Sequence, residues 1–285
     1  MIAPNNTLPE TILSEHELAQ FQKDGFYIAR NLLSKEEATE IRDAFMKMNA
    51  NGPVEGLSEF RHSGRDTYDA KDPLAFYPRM MHPHAHPEFP VGPLARKFMI
   101  DARFRPILRD LFNGEEPLAV QSMFYFKPPG ARGQDLHQDN FYLRVKPGTC
   151  MAAWMAIDDA DEENGGMVVV PGTANLEVAC PEKSDPEKFF TTEHVEPPPG
   201  TRPVPLTLKA GDVLFFNGSL IHGSYPNTST TRFRRSLIFH YVPEGSEELS
   251  HWYKSPTRFD EVIVPINEAT GGGPCGTVSG PMGPH

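Results

Sequence analysis

The sequence predicts a mainly β protein, a jelly roll or barrel with flanking α-helices. Three observations carry this. From residue 117 onward, short apolar runs alternate with turn signals, and no helical pattern separates them. The 29 prolines and 23 glycines suit a loop-rich β fold better than a helical bundle. The part of the chain before residue 113 holds amphipathic helix patterns with recognisable caps.

At 285 residues the chain can bury a real core, and 39% hydrophobic with 23% charged residues reads as soluble and globular. A net charge of -11 argues against nucleic acid and against an anionic membrane surface, both of which want a basic face. No apolar run approaches the ~18 residues of a membrane span. The start, Met1-Ile2-Ala3-Pro4-Asn5-Asn6, has neither the basic nor the apolar region of a signal peptide. Cys150, Cys180 and Cys275 are odd in number and widely spaced, so no disulfide framework is expected. A cytoplasmic location is the corresponding expectation.

In chain order, residues 1–13 read as a flexible arm. Residues 14–264 read as a single domain, and residues 265–285, rich in Gly and Pro, as a flexible tail. Ser14 with Glu17, and Ser34 with Glu37, form two capping boxes. Leu18 and Phe21 continue the first helix to Gly25. Ala38, Ile41, Ala44, Phe45 and Met48 make the apolar stripe of the second. Phe26 to Ala29 reads as a short strand between them. Residues 51–92 have no periodicity, and a loop this long is expected to act as a rim or lid. Its prolines stiffen His82-Pro83-His84-Ala85-His86, which argues against a metal site there. Arg61, Arg65 and Arg79 in this loop point to a small-molecule substrate of anionic character. Pro93 to Phe112 reads as one helix. The strands then follow at 119–126, 150–157, 167–170, 204–208, 212–216 and 233–242, with a polar insertion running through Pro199.

His137-Gln138-Asp139 begins where a strand would start, after Gly130-Ala131-Arg132-Gly133. On a strand, residues at i and i+2 share a face, so an imidazole and a carboxylate would project together. His222, after the apolar run Val213 to Phe216, can add a second imidazole. Two histidines and one carboxylate form the facial triad of non-heme Fe(II) oxygenases, which leaves adjacent positions open. A 2-oxo acid co-substrate also needs a fixed cation, and arginine offers a two-pronged fork for its far carboxylate. Alternation along Phe233 to Tyr241 puts Arg234, Ser236 and Ile238 on one face. That selects Arg234 over Arg202, Arg232 and Arg235.

These motifs resemble the phytanoyl-CoA dioxygenase family of Fe(II)/2-oxoglutarate oxygenases. The matching stretches include Phe21-Gln22-Lys23-Asp24-Gly25-Phe26-Tyr27, Phe126-Lys127-Pro128-Pro129-Gly130, His137-Gln138-Asp139, Glu163-Asn164-Gly165-Gly166, Gly211-Asp212-Val213-Leu214, His222-Gly223-Ser224 and Phe233-Arg234-Arg235-Ser236. The resemblance implies a double-stranded β-helix core, a cupin-like jelly roll. It implies Fe(II) at His137, Asp139 and His222, with 2-oxoglutarate at Arg234 and Ser236 and O2 as the oxidant. It also implies that Gln121 and Tyr125 line the pocket. Asn140, Trp154, Arg79 and His82 are candidate substrate contacts. The expected activity is oxidation, by default hydroxylation, of a C–H bond in a small metabolite, with release of succinate and CO2. Related halogenases lack the carboxylate, so Asp139 favours hydroxylation. Two other readings remain open at this stage: a non-catalytic jelly-roll binding protein, and a cupin-type metal enzyme that does not use 2-oxoglutarate.

Overall fold

The computed structural model describes residues 11–59, 69–253, 255–270 and 275. Both capping boxes form. Ser14 caps the helix Glu15–Asp24, which Gly25 ends in the left-handed conformation at φ 86°. Ser34 caps Lys35–Met48 in the same way. The stretch expected as one helix from Pro93 to Phe112 is two helices, Val91–Met99 and Phe104–Leu111. Asp101 breaks it: its carboxylate accepts from the Arg103 backbone N–H at 2.9 Å and from the Arg103 guanidinium. A short polar side chain that captures nearby backbone donors competes with the helix for them.

Most strands form two antiparallel sheets, beside two small two-stranded pairs. The larger runs Phe26–Ala29, Val213–Asn217, Met151–Ala156, Ser236–Pro243, Pro117–Tyr125, Met80–Met81. The smaller runs Gln134–His137, His222–Ser224, Met167–Val169, Val204–Pro205. Alternation splits the larger sheet into two faces. Phe124, Phe215, Leu237 and Phe239 point outward, packed with Ile41, Phe45, Phe98, Phe104 and Leu108 of the helices. Phe45 stacks on Phe124 with ring centroids 4.0 Å apart. Met123, Trp154, Leu214 and Ile238 point inward and meet Met167 and Val169 of the smaller sheet. The helices therefore stiffen the back of the large sheet, and the space between the sheets is left for chemistry.

Four local expectations change. The loop at 51–92 supplies an edge strand, Met80–Met81, paired with Phe124 and Met123; Arg61 and Arg65 lie outside the described residues. At the N-terminal arm, the backbone N–H groups of Ile12 and Leu13 donate to the Asp110 carboxylate at 2.8 and 2.9 Å. The polar insertion lies along the Gln134–His137 edge of the smaller sheet: Val195 N–H donates to Leu136 O at 2.7 Å, and Phe190 N–H to Gly133 O at 2.9 Å. Asn267–Glu268 of the tail pairs in parallel with Glu248–Leu249.

Cys180 and Cys275 are joined by a disulfide across 95 residues of sequence, and Cys150 is free and buried. The expectation of no disulfide is thus corrected. Odd count and wide spacing hide a pair that only the docked insertion and tail bring together. Disulfides persist in oxidising surroundings, so the sequence ground for a reducing cytoplasm is removed. Among the described residues, no helix is long and apolar enough to cross a membrane. In unfolding denaturant without reductant, thiol titration is expected to find one reactive thiol per chain, Cys150, and three after reduction. Three without reductant would show that the bond does not form.

Candidate active site

His137 ends its strand and pairs in register with His222 on the neighbouring strand. Asp139, however, is not on the strand. Its φ of -60° and ψ of -35° place it at the head of the helical turn Asn140–Leu143. The two-residue spacing brings imidazole and carboxylate together through a strand-to-helix corner, not through strand alternation. One side-chain nitrogen or oxygen from each of His137, Asp139 and His222 lies within 4.8 Å of the others, and all three residues are buried.

The backbone sets the histidine tautomers. His137 Nδ1 lies 2.7 Å from Asp135 O, and His222 Nδ1 lies 2.9 Å from Leu220 O. A carbonyl only accepts, so each Nδ1 carries the hydrogen and each Nε2 keeps its lone pair. Both Nε2 atoms lie 3.4 Å from the same carboxylate oxygen, Asp139 Oδ1. Gln134 Nε2 sits 3.2 Å from His137 Nε2, where an amide N–H finds that lone pair. Burial, with His222 close by, holds the His137 pKa below its usual value, which favours the neutral ligand form. Two neutral imidazole nitrogens and one carboxylate oxygen, converging in a buried pocket, fit a divalent iron.

The opposite end of the cavity is cationic. Arg234 precedes the strand Ser236–Pro243 and is buried. Its Nη1 donates to Ser236 Oγ at 2.9 Å, its Nε donates to Gly165 O at 3.0 Å, and its guanidinium lies 5.3 Å from the centre of the Trp154 ring. Gly165 makes this possible: at φ 81°, an added Cβ would lie 2.7 Å from Lys127 Cε. Lys127 is also buried, and its Nζ donates to Ser224 Oγ at 2.8 Å. Among the described residues, neither Arg234 nor Lys127 forms an ion pair. Burial lowers the Arg234 pKa to about 10. Burial, and then the charge of Arg234, lowers Lys127 well below its usual value. Burial disfavours the charged form of both side chains, and a bound anion would offset this. By contrast, Arg232 pairs with Asp161 and Glu163, and Arg235 with Asp158.

The structure sorts the other candidate residues. Tyr125 and Trp154 line the cavity together with Met123, Met167, Phe216 and Ile238. Gln121 lies further along its strand, buried and paired in register with His240, beyond the cavity wall. Asn140 does not face the cavity: its Oδ1 accepts from the Val145 N–H at 2.9 Å, closing its own turn. Arg79 is not a spare cation for an anionic substrate. It pairs with Glu59 and donates to Tyr125 OH at 2.7 Å. His82 places its ring beside those of His84 and Tyr253. Sequence reasoning missed His240, which lines this cavity, and Lys127, which lines an adjoining pocket with Arg234. Both lie on alternations already recognised, Lys127 after Met123 and Tyr125, and His240 after Arg234, Ser236 and Ile238.

A jelly roll with a buried His–Asp–His set beside two buried cations defines an oxygenase of the Fe(II)/2-oxoglutarate class. The comparisons agree. The family model for phytanoyl-CoA dioxygenase (PhyH) matches residues 21–236, and the chain belongs to that family. Phytanoyl-CoA dioxygenase 1 of Oryza sativa subsp. japonica is 26% identical over 263 residues, covering 84% of this chain and 92% of the rice protein. Phytanoyl-CoA dioxygenase of Arabidopsis thaliana is 30% identical over 157 residues, 53% of each chain. Among solved structures, the epimerase SnoN in complex with Fe3+, alpha ketoglutarate and nogalamycin RO superposes with a TM-score of 0.64 at 20% identity, covering 82% of this chain and 84% of SnoN. EctD from S. alaskensis with 2-oxoglutarate and 5-hydroxyectoine gives 0.62 at 19% identity, covering 88% of this chain and 81% of EctD. These structures share the fold.

Burial pushes the His82 pKa down to about 4 and the His84 pKa to about 3. An unfolded chain takes up these protons near its ordinary value of about 6.5. Between these values the unfolded state binds more protons, so stability falls as pH drops from about 6.5 and is fully retained above it. Urea midpoints are expected to be lower at pH 5 than at pH 7.5. His84→Gln, which keeps a polar group beside Ser122 Oγ, should reduce that difference; an unchanged difference would show that His84 does not carry it.

Proposed function

We propose that His137, Asp139 and His222 hold Fe(II), and that Arg234, Ser236 and Lys127 hold the far carboxylate of 2-oxoglutarate. The observation that carries this reading is the pairing of two charge environments in one cavity. Three donors converge at one end, and Arg234 stands at the other, where an adjoining pocket brings in Lys127; among the described residues neither has an ion-pair partner. When bound, the iron and 2-oxoglutarate supply oxygen activation for oxidation of a C–H bond, with succinate and CO2 released. The chain's own contribution is placement. Asp135 O and Leu220 O fix the imidazoles so that Nε2 faces the shared site. Ser236 and Gly165 hold the Arg234 guanidinium, which can then meet a carboxylate with its remaining donors. Met123, Met167, Phe216 and Ile238 exclude water from the space between.

The substrate is a small molecule, and hydroxylation is the expected outcome. A narrow cavity walled by methionine and aromatic side chains, with Tyr125 as a polar contact, suits a compact and partly apolar metabolite. Of the three loop arginines behind the expectation of an anionic substrate, Arg79 is paired with Glu59. A cupin-type enzyme without 2-oxoglutarate would have no use for Arg234 and Lys127 held without ion-pair partners.

Anaerobic addition of Fe(II) and 2-oxoglutarate to the protein should give a weak visible absorption band, lost in His137→Ala. No band with the unaltered protein, or the same band in the variant, ends the reading. Arg234→Ala and Lys127→Ala should each raise the 2-oxoglutarate concentration needed for half-maximal band intensity roughly 10- to 100-fold, equivalent to about 1.5–3 kcal/mol for a hydrogen bond to a charged group. An unchanged concentration would remove that residue from the co-substrate site.

A further inference from the structure

The two oxygens of Asp139 stand in different surroundings. Oδ1 faces the histidine pair, 3.4 Å from each Nε2. Oδ2 faces away from that pair and lies 3.0 Å from His240 Nε2. His240 comes from the inner face of the strand Ser236–Pro243, 101 residues away in sequence. Both residues are fully buried. An ionised carboxylate only accepts hydrogen bonds, so Nε2 of His240 carries the donated hydrogen.

This division has a consequence for coordination. A carboxylate can bind a metal through one oxygen or two. A facial set works because three protein donors leave three adjacent positions open. If Asp139 turned both oxygens to the metal, one of those positions would be filled. Resting on the iron site proposed above, we infer that His240 is a positioning residue. It donates Nε2–H to Asp139 Oδ2, withholds that oxygen from the metal and presents Oδ1 alone. His240 itself does not touch the metal or the co-substrate in this scheme. It acts through Asp139, as partners of metal ligands do elsewhere.

The position of His240 suits the task. Its strand is held by Met151–Ala156 on one side and Pro117–Tyr125 on the other. The register slips by one residue between His240 and Tyr241, so His240 opposes Gln121 while Tyr241 opposes Ala119. The extra residue, Val120, sits on the strand Pro117–Tyr125, while the register with Met151–Ala156 runs unbroken, so His240 keeps the inward alternation of its own strand. Tyr241 then points to the helices, its hydroxyl donating to Met99 O at 2.7 Å, and fixes the backbone beside His240.

The test is anaerobic Fe(II) binding by the full chain, read as a dissociation constant, with three substitutions. His240→Leu and His240→Asn remove a donor that reaches Asp139, and each should weaken Fe(II) binding by about 10- to 100-fold. His240→Gln restores an N–H near the position of Nε2 and should stay within about threefold of the unaltered protein. At saturating iron, the 2-oxoglutarate concentration for half-maximal band intensity should be unchanged in all three, because Arg234 and Lys127 are untouched. Fe(II) binding at the original strength in His240→Leu or in His240→Asn overturns the inference. So does loss in His240→Gln as large as in His240→Asn, which would mark a role in packing alone. Failure of the iron-site reading looks different: the unaltered protein would not bind Fe(II), or His137→Ala would bind it equally well.

Discussion

The site depends on one cross-strand pair. His137 and His222 stand opposite each other in antiparallel register, and each is locked by a hydrogen bond to a carbonyl two residues earlier in its own chain. A strand slipped by one residue would turn one imidazole to the other face of the sheet. Everything else in the centre is arranged about this pair. Asp139 enters from the corner where the strand becomes a helical turn. Gly223, beside His222, leaves room for the two backbones to approach, since a Cβ there would lie 2.8 Å from Gln134 O.

The cavity is electrically polarised along its length. A carboxylate stands with two imidazoles at one end; the Arg234 guanidinium stands at the other, where it also lines an adjoining pocket with Lys127. Burial penalises the charged forms of Arg234 and Lys127, and among the described residues no acid pairs with either. The neighbouring arginines show the contrast. Arg232 and Arg235, on either side of Arg234, are each tied to aspartates. Among the described residues, acids pair with the flanking arginines and none pairs with Arg234, which fits the proposal that it meets an anion brought by the co-substrate. A co-substrate that carries one carboxylate toward the metal and another toward the cations matches this polarity end to end.

Local features were legible in the sequence and long-range ones were not. Capping boxes at Ser14 and Ser34 are readable because both partners lie within one helical turn. The alternation that singles out Arg234 and Ser236 is readable because a strand repeats every second residue. The break at Asp101 was missed because an apolar helical period continues across it, and only the turn toward Arg103 reveals the competition. The Cys180–Cys275 bond, the docking of the insertion against Leu136 and the pairing of Arg79 with Glu59 join residues that no local pattern relates. Asp139 is an intermediate case. Its partnership with His137 was readable from spacing, yet the geometry behind that spacing is a helical corner.

His240 shows where the two kinds of legibility meet. Its inward direction follows from the same alternation that places Arg234, Ser236 and Ile238, so the face was available from sequence. Its partner was not, because Asp139 reaches it from the helical turn that follows a strand of the opposite sheet. The strand Ser236–Pro243 thereby touches both ends of the polarised cavity. It begins beside the guanidinium that would hold the co-substrate and continues to the imidazole bonded to the Asp139 carboxylate. Since the strand is paired on both sides and backed by the helices through Leu237, Phe239 and Tyr241, the separation between anion end and metal end is set by a rigid element. A co-substrate of fixed length that must span the two is therefore measured against the rise of a single strand.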